Sequence, residues 1–443
     1  MPRLAAWKVL RSGSGTPLRA VDRFTNGLHE KDIGLLRAIV GMEVRHRGTL
    51  RAVTRHLLER DQKPDLIAFL HIGLVQILFL DRVPPHAAVS ETLGAVERTL
   101  GQSKVPLVNA VLRTALRMTR DGHVDNPRQD IIGRELHFAD PVFRDPETHP
   151  LLWAEDALSV PANMMKRWTK RHGRERAEVL ARRTLVEPNL AVRGVGLDRD
   201  GAIAALAAES IEATPGALPG TLRVASSSTS ELLASAPFRA GKLVIQGEAA
   251  LSAAQLLGAQ PGERVLDLCA APGGKTMVLL EAGAKVIAVD LNEKRLALVK
   301  ESAARLELPE NLHLVVADGT TDWTVESSDN GLFDAALVDA PCTNTGVLAA
   351  RPGARWRFGP ATLKELMELQ EKLINAAAAR VRPGGRLVWS TCSIEPEEGA
   401  QRVRRFLAEH TNWSLVESHE SLPDGSPESF LDGGYRALLV RAK

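Results

Sequence analysis

The chain has 443 residues, of which 44% are hydrophobic, and its net charge is only +2. This length and composition predict a globular protein of two to four domains with well-formed cores. The longest apolar run, residues 66–80, is interrupted by polar positions and too short to cross a bilayer, and no leader-like segment opens the chain, so we expect a cytoplasmic protein with no membrane partner.

The near-neutral total conceals an uneven distribution of charge. Residues 1–150 carry 22 basic and 17 acidic side chains, whereas residues 251–443 carry 21 and 26. Two basic runs stand out, "RHRGTLRAVTRHLLER" from Arg45 and "KRWTKRHGRERAEVLARR" from Lys166. Either run fits a phosphate-binding face or the solvated face of a helix.

Residues 31 to about 120 show the periodicity of helices. Apolar residues share one face of a first helix (Leu36, Ile39, Val40) and one face of a second helix (Leu50, Val53, Leu57, Leu58). The segment "PDLIAFLHIGLVQILFL" is apolar almost all round, which predicts the central helix of an all-α bundle. Residues 121–150, rich in Asp, Pro, His and Gly, read as a linker.

The pattern changes after residue 150, first to basic helices and short strands typical of a small α+β region. After Val244, strands and helices alternate in the βαβ rhythm of a doubly wound α/β, Rossmann-like fold. The sequence therefore predicts three domains, at residues 1–145, 146–240 and 241–443.

The stretch "VLDLCAAPGGKT", residues 265–276, predicts a strand, a glycine turn and a helix. A phosphate-binding loop would need glycine where Cys269 stands, and the glycine spacing of a dinucleotide fold is also missing. What remains is either a turn whose backbone N–H groups approach a ligand at a helix N-terminus or an ordinary strand-to-helix connection.

Three acidic residues follow later strands, and ligands of open α/β sheets bind beyond these strand ends. Asp290 stands where a carboxylate usually meets ribose hydroxyls, and Asp318 where an adenine amino group would come within reach. Either acid could instead cap a following helix. Asp339 ends the strand before Cys342.

The three cysteines, Cys269, Cys342 and Cys392, form no CxxC pair and have no nearby Cys/His array, so neither a disulfide framework nor a metal site is expected. Cys342 and Cys392 lie 50 residues apart at the ends of two strands that could be neighbours. They are either small buried side chains or thiols presented for nucleophilic chemistry.

These motifs carry a specific resemblance. "LDLCAAPGGKT", "VDAPCTNTGV" and "STCSIEPEEG" are close to three motifs of the RNA 5-methylcytosine methyltransferases, and "VIQGEAALSAAQLL" resembles the segment that leads into their fold. Residues 1–150, with "DRVPPHAAVSETL" and "VNAVLR", resemble the NusB-like helical RNA-binding domain. The combination is similar to the RsmB (Fmu/Sun) family of bacterial 16S rRNA methyltransferases.

The resemblance implies S-adenosylmethionine as cofactor and assigns roles to individual residues. Cys392 would be the nucleophile, Cys342 would assist product release, and Asp339 would lie near the reacting centre or the amino-acid end of the cofactor. Asp290 would bind ribose and Asp318 adenine. The methionine part would be held by Cys269, Ala270, Ala271, Pro272, Gly273, Gly274 and Lys275.

The implied partner is RNA, most simply 16S rRNA with its target cytosine in a single-stranded loop or flipped out of the stack. "RPGARWRFG", residues 351–359, has the composition for contacts to backbone phosphates and stacking on bases, or is simply a basic surface loop.

The chain also departs from the family pattern, at Thr343, Asn344, Gly399 and Gly433-Gly434-Tyr435. These departures leave the base pocket and the modified nucleotide open. A tRNA methyltransferase and a non-catalytic RNA-binding assembly factor remain the alternative functions.

Overall fold

The computed structural model describes residues 1–323 and 332–443 and divides into two compact units. The helical unit comprises Met1–Val186 and Arg351–Gly359. The sheet unit comprises Glu187–Ala350 and Pro360–Lys443. The unit boundary at Val186 falls inside the region that the sequence assigns to a separate subdomain, so the three-domain division stays a prediction.

The helical unit is built from helices and one short antiparallel pair of strands. Its elements are α1 (Pro2–Arg11), α2 (Pro17–Ala20), α3 (Glu30–Leu57), α4 (Pro64–Phe79), α5 (Pro85–Leu100), α6 (Val105–Met118), β1 (Thr119–Asp121), β2 (Leu136–Phe138), α7 (Pro150–Ala157), α8 (Ala162–His172) and α9 (Arg174–Arg183). The predicted all-α bundle is confirmed, and α4, buried on nearly every side, is its centre.

The two helices expected within residues 31–58 form one helix, α3, with a kink. The backbone leaves helical geometry at His46 (φ −110°, ψ 19°), whose ring stacks on Phe79 with centroids 3.9 Å apart. Two residues later, α3 passes so close to α7 that a side chain on Gly48 would collide with the carbonyl oxygen of Glu155. The sequence contains no turn signal here because the change of direction comes from packing.

Residues Arg351–Gly359 interrupt the sheet unit in sequence and belong to the helical unit. Arg355 is fully buried and donates to the carbonyl oxygens of Ser159 (3.2 Å) and Thr184 (2.8 Å). Trp356 Nε1 donates to Val44 O at 2.7 Å. The prediction that this segment is a loop for stacking on RNA is therefore wrong for these two side chains, which serve the fold.

The sheet unit begins with a small α+β region, as predicted. Its strands form an antiparallel sheet in the order β4-β5-β3-β6 among the residues described. The elements are β3 (Leu190–Gly194), α10 (Arg199–Ala207), β4 (Ala213–Pro215), β5 (Thr221–Val224), α11 (Thr229–Ala234), α12 (Ala236–Arg239) and β6 (Leu243–Ile245).

The rest of the unit is a mostly parallel sheet flanked by helices. Its elements are α13 (Glu248–Leu256), β7 (Arg264–Leu268), α14 (Gly274–Glu281), β8 (Lys285–Asp290), α15 (Glu293–Arg305), β9 (Leu312–Val316), β10 (Phe333–Asp339), α16 (Pro360–Arg380), β11 (Val381–Thr391), α17 (Ala400–Glu409), β12 (Trp413–Ser421) and β13 (Gly434–Arg441). Across residues 1–323 and 332–443, seven strands pair in the order β12-β13-β11-β10-β7-β8-β9.

Strands β11, β10, β7, β8 and β9 are parallel, and β13 and β12 extend the sheet in antiparallel fashion. Two apolar clusters cover its faces, one with α16 and α17, the other with α14 and α15. Burial on both faces explains why β7, β8 and β10 read as continuous apolar runs. The predicted doubly wound fold is confirmed. No helix in the described part of the chain is long and apolar enough to cross a membrane.

Candidate active site

The five parallel strands end at one edge of the sheet, and each end carries a residue that the sequence singled out. Because neighbouring parallel strands point the same way, their carboxyl ends lie side by side. In sheet order from β11 to β9 these residues are Cys392, Asp339, Cys269, Asp290 and Asp318. The predicted convergence is thus present in the fold.

The turn between β7 and α14 has an unusual backbone. Cys269 has a positive φ of 67°, and Gly273, which precedes α14, has a φ of 106°. The turn is fixed from outside, because Ala271 N donates to Asp290 Oδ2 at 3.2 Å and the guanidinium of Arg295 donates to Ala271 O. A carboxylate and a cation from the next βα connection therefore set the shape of this turn.

Asp290 is buried at the end of β8. Its Oδ1 accepts a hydrogen bond from Asn292 N at 3.0 Å. The next residue, Leu291, is 73% exposed and was not expected from the sequence, although an apolar residue directly after a strand-end acid was a visible signal.

A second residue missed from the sequence is Asp267, inside β7. It is fully buried and accepts from Thr276 Oγ1 at 2.6 Å, while its Oδ1 has no partner among the described residues. Burial, reinforced by the charges of Asp339 and Asp290, raises the pKa of Asp267 to about 7. A carboxylate within an otherwise apolar strand was the signal for it.

Lys275 and Asp339 form an ion pair between the start of α14 and the end of β10. Lys275 Nζ lies 2.7 Å from Asp339 Oδ2, and Ser390 Oγ donates to Asp339 Oδ1 at 3.2 Å. The Asp339 side chain is 38% exposed, so solvent reaches the carboxylate of the pair, whereas the Lys275 side chain is mostly buried. A cation beside an anion is the arrangement that a zwitterionic amino-acid group requires.

Asp318 lies at the last of the five strand ends and is exposed. Its Oδ1 accepts from Thr320 N (2.9 Å) and Thr320 Oγ1 (2.7 Å), and these bonds lower the pKa of Asp318 below its usual range. Oδ1 of Asp318 thus stabilises the turn that contains it, and Oδ2 is not used in these two bonds. Its predicted contact with adenine stays a prediction.

The two thiols predicted to act together are in contact. Cys342 Sγ lies 3.2 Å from Cys392 Sγ, and Cys392 Sγ donates to Asn344 Oδ1 at 3.2 Å. Because Cys392 donates its S–H to Asn344, the hydrogen bond between the two sulfurs is donated by Cys342 and accepted by Cys392. This bond, burial and the charge of Glu398 raise the pKa of Cys342 well above its ordinary value. Cys342 therefore keeps its proton at neutral pH.

The departures from the family pattern have structural roles here. Asn344 adopts a left-handed conformation (φ 61°), which asparagine tolerates, and its Nδ2 donates to Cys342 O at 2.7 Å. A side chain on Gly399 would press on the ring of Tyr435, so these two departures fit one another. Gly433 N donates to Gly346 O at 2.8 Å, which ties the C-terminal departure to the Cys342 loop.

Cys269 has a different environment from the other two thiols. It is partly buried, and burial together with the charges of Asp290 and Asp339 raises the pKa of its thiol well above the ordinary value.

Throughout the described part of the chain, no group of three or more His, Cys, Asp or Glu side chains could hold a metal ion.

Comparison with known proteins places this geometry in a family. The model of the 16S rRNA methyltransferase RsmB/F family matches residues 254–429, and that of the NusB family matches residues 4–117. Ribosomal RNA small subunit methyltransferase B of Proteus mirabilis is 30% identical over 431 residues, which cover 96% of this chain and 93% of that protein. The chain belongs to the RsmB/F family.

Three further comparisons support the placement and the fold. The methyltransferase B of Yersinia pestis bv. Antiqua (strain Angola) is 30% identical across 96% of this chain and 95% of its own length. The crystal structure of PH0851 superposes with a TM-score of 0.77 over 100% of this chain and 99% of that one at 23% identity. NSun6 of Pyrococcus horikoshii aligns over 64% of this chain and 98% of its own, with a TM-score of 0.54 and 20% identity.

As an RsmB/F family member, the chain is a methyltransferase whose cofactor is S-adenosylmethionine. The site has the chemistry for this cofactor. Asp290 has carboxylate lone pairs that a vicinal diol could donate to, Leu291 is an exposed apolar side chain next to it, and the Lys275–Asp339 pair has the charges to match an amino-acid group.

The two basic runs of this RsmB/F protein differ in what they can offer RNA. Much of the first run serves the fold, because Arg45 donates to Val186 O (2.6 Å), Arg47 pairs with Glu43 (2.7 Å) and Arg55 pairs with Asp156 (2.8 Å). The second run keeps more of its charge on the surface: the exposed basic residues are Lys166, Lys170, Arg171, Arg174, Arg176 and Arg182. The second run therefore presents more exposed basic side chains than the first.

Proposed function

We propose that the chain transfers a methyl group from S-adenosylmethionine to carbon 5 of a cytosine in 16S rRNA, through a covalent adduct between Cys392 and the base. The observation that carries the proposal is the pair of sulfurs 3.2 Å apart at the sheet edge that also holds the Lys275–Asp339 pair. Two thiols in contact beside a methyl-donor site suit a reaction with two thiol-dependent steps.

The chemistry requires a nucleophile because carbon 5 of cytosine is too electron-poor to attack a methyl sulfonium directly. A thiolate that adds to carbon 6 moves the electron pair of the C5–C6 double bond onto carbon 5. S-adenosylmethionine supplies the methyl group that carbon 5 then takes. Loss of the carbon 5 proton to a base restores the double bond and expels the sulfur from carbon 6.

The environments of the two thiols favour one division of labour. The raised pKa of Cys342 makes it a poor thiolate at neutral pH. Its S–H bond to Cys392 would stabilise a negative charge on the Cys392 sulfur, as hydrogen bonds to a charged form do. Cys392 is thus the better nucleophile, and Cys342, which retains a proton, suits the release step.

The cofactor would lie along the ends of β7, β8, β9 and β10. The turn formed by residues 269–274, with Lys275 and Asp339, would hold its amino-acid end. Asp290 would accept hydrogen bonds from the ribose hydroxyls, Leu291 would pack on the purine, and Asp318 would contact the adenine amino group.

The substrate assignment rests on the relatives, which are ribosomal RNA small subunit methyltransferases over nearly the whole chain. A cytosine must leave its stack to reach a thiol at a sheet edge, so we propose a single-stranded or flipped-out target. The exposed basic face of α8 and α9 would bind the RNA backbone. We propose the cytoplasm as the place of the reaction, in keeping with a ribosomal RNA substrate.

The test is a denaturing gel of Cys342→Ala and Cys392→Ala proteins, each incubated with S-adenosylmethionine and unmodified 16S rRNA, with tRNA as the comparison substrate. We expect a slow-migrating protein–RNA adduct with Cys342→Ala and 16S rRNA, because addition proceeds and release fails. We expect none with Cys392→Ala.

Each other outcome contradicts a particular part of the proposal. An adduct with Cys392→Ala alone would reverse the two roles. An adduct with tRNA but not with 16S rRNA would make the chain a tRNA methyltransferase. Tight RNA binding without any adduct, and without methyl transfer by the wild-type protein, would indicate a non-catalytic assembly factor.

A further inference from the structure

Cys342 is held by its backbone on both sides. The residue before it, Pro341, accepts a hydrogen bond on its carbonyl oxygen from Gln370 Nε2 at 2.9 Å. The residue after it, Thr343, donates its N–H to Glu398 Oε1 at 3.0 Å. Gln370 Nε2 also donates to the same Glu398 oxygen at 2.9 Å. The two side chains, here called the Gln370–Glu398 clamp, thus bracket the cysteine.

The clamp is rigid and inaccessible to substrate. Gln370, on α16, and Glu398, in the connection from β11 to α17, are both fully buried. Thr343 Oγ1 donates to Glu398 Oε2, and the Glu398 carbonyl oxygen accepts from Trp389 Nε1 at 3.0 Å. Burial raises the pKa of Glu398 above its ordinary value, although the surrounding donors oppose this.

Such an arrangement carries a cost that packing alone does not explain. Burying a carboxylate and an amide costs free energy unless both are hydrogen-bonded. Apolar residues of similar size would fill the same space without this requirement. Here the bonds converge on the peptide groups before and after Cys342, and these two groups set the direction of the cysteine side chain.

We propose that Gln370 and Glu398 are positioning residues that fix the Cys342 thiol against Cys392 for the release of the methylated base. This inference rests on the covalent mechanism proposed above. Gln370 donates to Pro341 O and to Glu398, on the Cys342 side. Glu398 also forms a hydrogen bond with Ser393, the residue after Cys392, and the Cys392 carbonyl oxygen accepts from Gly346 N at 3.1 Å. Loss of the Gln370 bonds therefore misplaces Cys342 more than Cys392.

The inference predicts a specific kinetic defect in Gln370→Met, a variant that keeps the volume and removes both donated bonds. The first methyl transfer, measured in a single turnover, changes by less than about threefold, whereas kcat over many turnovers falls about tenfold or more, as expected for a misplaced catalytic group. The covalent RNA adduct accumulates on a denaturing gel, as it does with Cys342→Ala. Glu398→Gln, which also alters the bond to Ser393 beside Cys392, should accumulate the adduct with a larger loss in the single-turnover rate.

Controls separate this inference from folding effects and from the proposed function. Glu365→Gln changes an exposed carboxylate on the same helix, α16, and should leave every rate unchanged. Thermal unfolding and S-adenosylmethionine binding establish that each variant is folded. If Glu398→Gln does not fold, Gln370→Met alone carries the test.

The outcomes are distinguishable. If Cys342→Ala itself traps no adduct, the covalent mechanism fails. If Cys342→Ala traps the adduct but folded Gln370→Met does not, the positioning role is overturned. Equal losses in single-turnover and multiple-turnover rates would likewise overturn it, because a purely structural role lowers both together.

Discussion

The cofactor side and the cysteine side of the sheet edge are held together in different ways. On the cofactor side, the bonds that shape the turn join residues close in sequence: Thr276 to Asp267, Ala271 to Asp290, and Arg295 to Ala271 are separated by 9, 19 and 24 residues, and the Lys275–Asp339 ion pair is the long-range exception. On the cysteine side, Cys392 and Cys342 are 50 residues apart, and Glu398 and Thr343 are 55.

The geometry of the cofactor turn is thus set mainly by local sequence, whereas the geometry of the cysteine pair is set by long-range packing. A strand, a turn and the next βα connection are enough to shape the cofactor turn. The cysteine pair forms only when β10 and β11 are adjacent and α16 covers the connection after Cys342. Substitutions should therefore damage the two sides differently, and the following predictions test this.

The largest contrast is expected between two glycines. A methyl group on Gly346 would collide with the Gly433 carbonyl, which is backbone that cannot move aside, whereas a methyl group on Gly274 would lie at an ordinary 3.5 Å from Gln246. We expect Gly346→Ala to lose about 3 kcal/mol of unfolding free energy. Gly274→Ala, at a helix start, should lose none. Urea unfolding of both proteins measures the difference; equal losses would mean that the cysteine side is not the tightly packed one.

The next largest effect concerns cofactor affinity. Asp290→Ala removes both the predicted ribose ligand and the bond that shapes the turn at Ala271, so the Kd for S-adenosylmethionine should rise about 30- to 100-fold, corresponding to about 2–3 kcal/mol. Asp318→Ala, on an exposed turn, should raise it less than about tenfold because a solvated contact contributes little. Calorimetric titration without RNA measures both Kd values. A larger effect at Asp318 would reverse the ranking of the two acids.

The sequence predicted most of the fold because its signals are local. Alternating strands and helices indicate the sheet, and the strand ends could be located with their candidate residues, whose contacts with the cofactor stay predictions. The clamp could not be found this way, since Gln370 reads as an ordinary polar position on an amphipathic helix and is nevertheless fully buried. Arg355 was misread for the same reason. The positive charge of Arg355 suggests a contact with RNA phosphates. Only the folded structure shows that its guanidinium donates to buried carbonyl oxygens instead.

A third prediction uses the pH dependence of stability on the cofactor side. The folded pKa of Asp267, about 7, lies above the unfolded value of about 3.9. The folded state therefore binds this proton more tightly. The stabilising contribution is complete below about pH 4 and is lost as pH rises through about 7.

Asp267→Asn should remove this dependence, because an amide is neutral at every pH and still accepts from Thr276. We expect the variant to exceed the wild type by about 2 kcal/mol at pH 8 and to match it near pH 4. Urea unfolding across this range is the measurement, with Asp318→Asn, an exposed carboxylate, as the matched control. A wild-type curve that rises between pH 4 and pH 8 relative to the variant would show that Asp267 is stabilised as a carboxylate instead.

The smallest effect is expected at Cys269, which tests whether a thiol on the cofactor side shares the chemistry of the other two. Its positive φ of 67° is strained for a residue with a side chain, and its raised pKa disfavours the thiolate. Cys269→Gly should therefore keep methyl transfer within about threefold and lose no stability, since glycine adopts this conformation freely. In the Cys342→Ala/Cys392→Ala double variant, the remaining thiol should react with iodoacetamide at pH 8 far more slowly than free cysteine. Labelling as fast as free cysteine, together with loss of methyl transfer in Cys269→Gly, would make Cys269 a third reacting thiol and remove the distinction between the two sides.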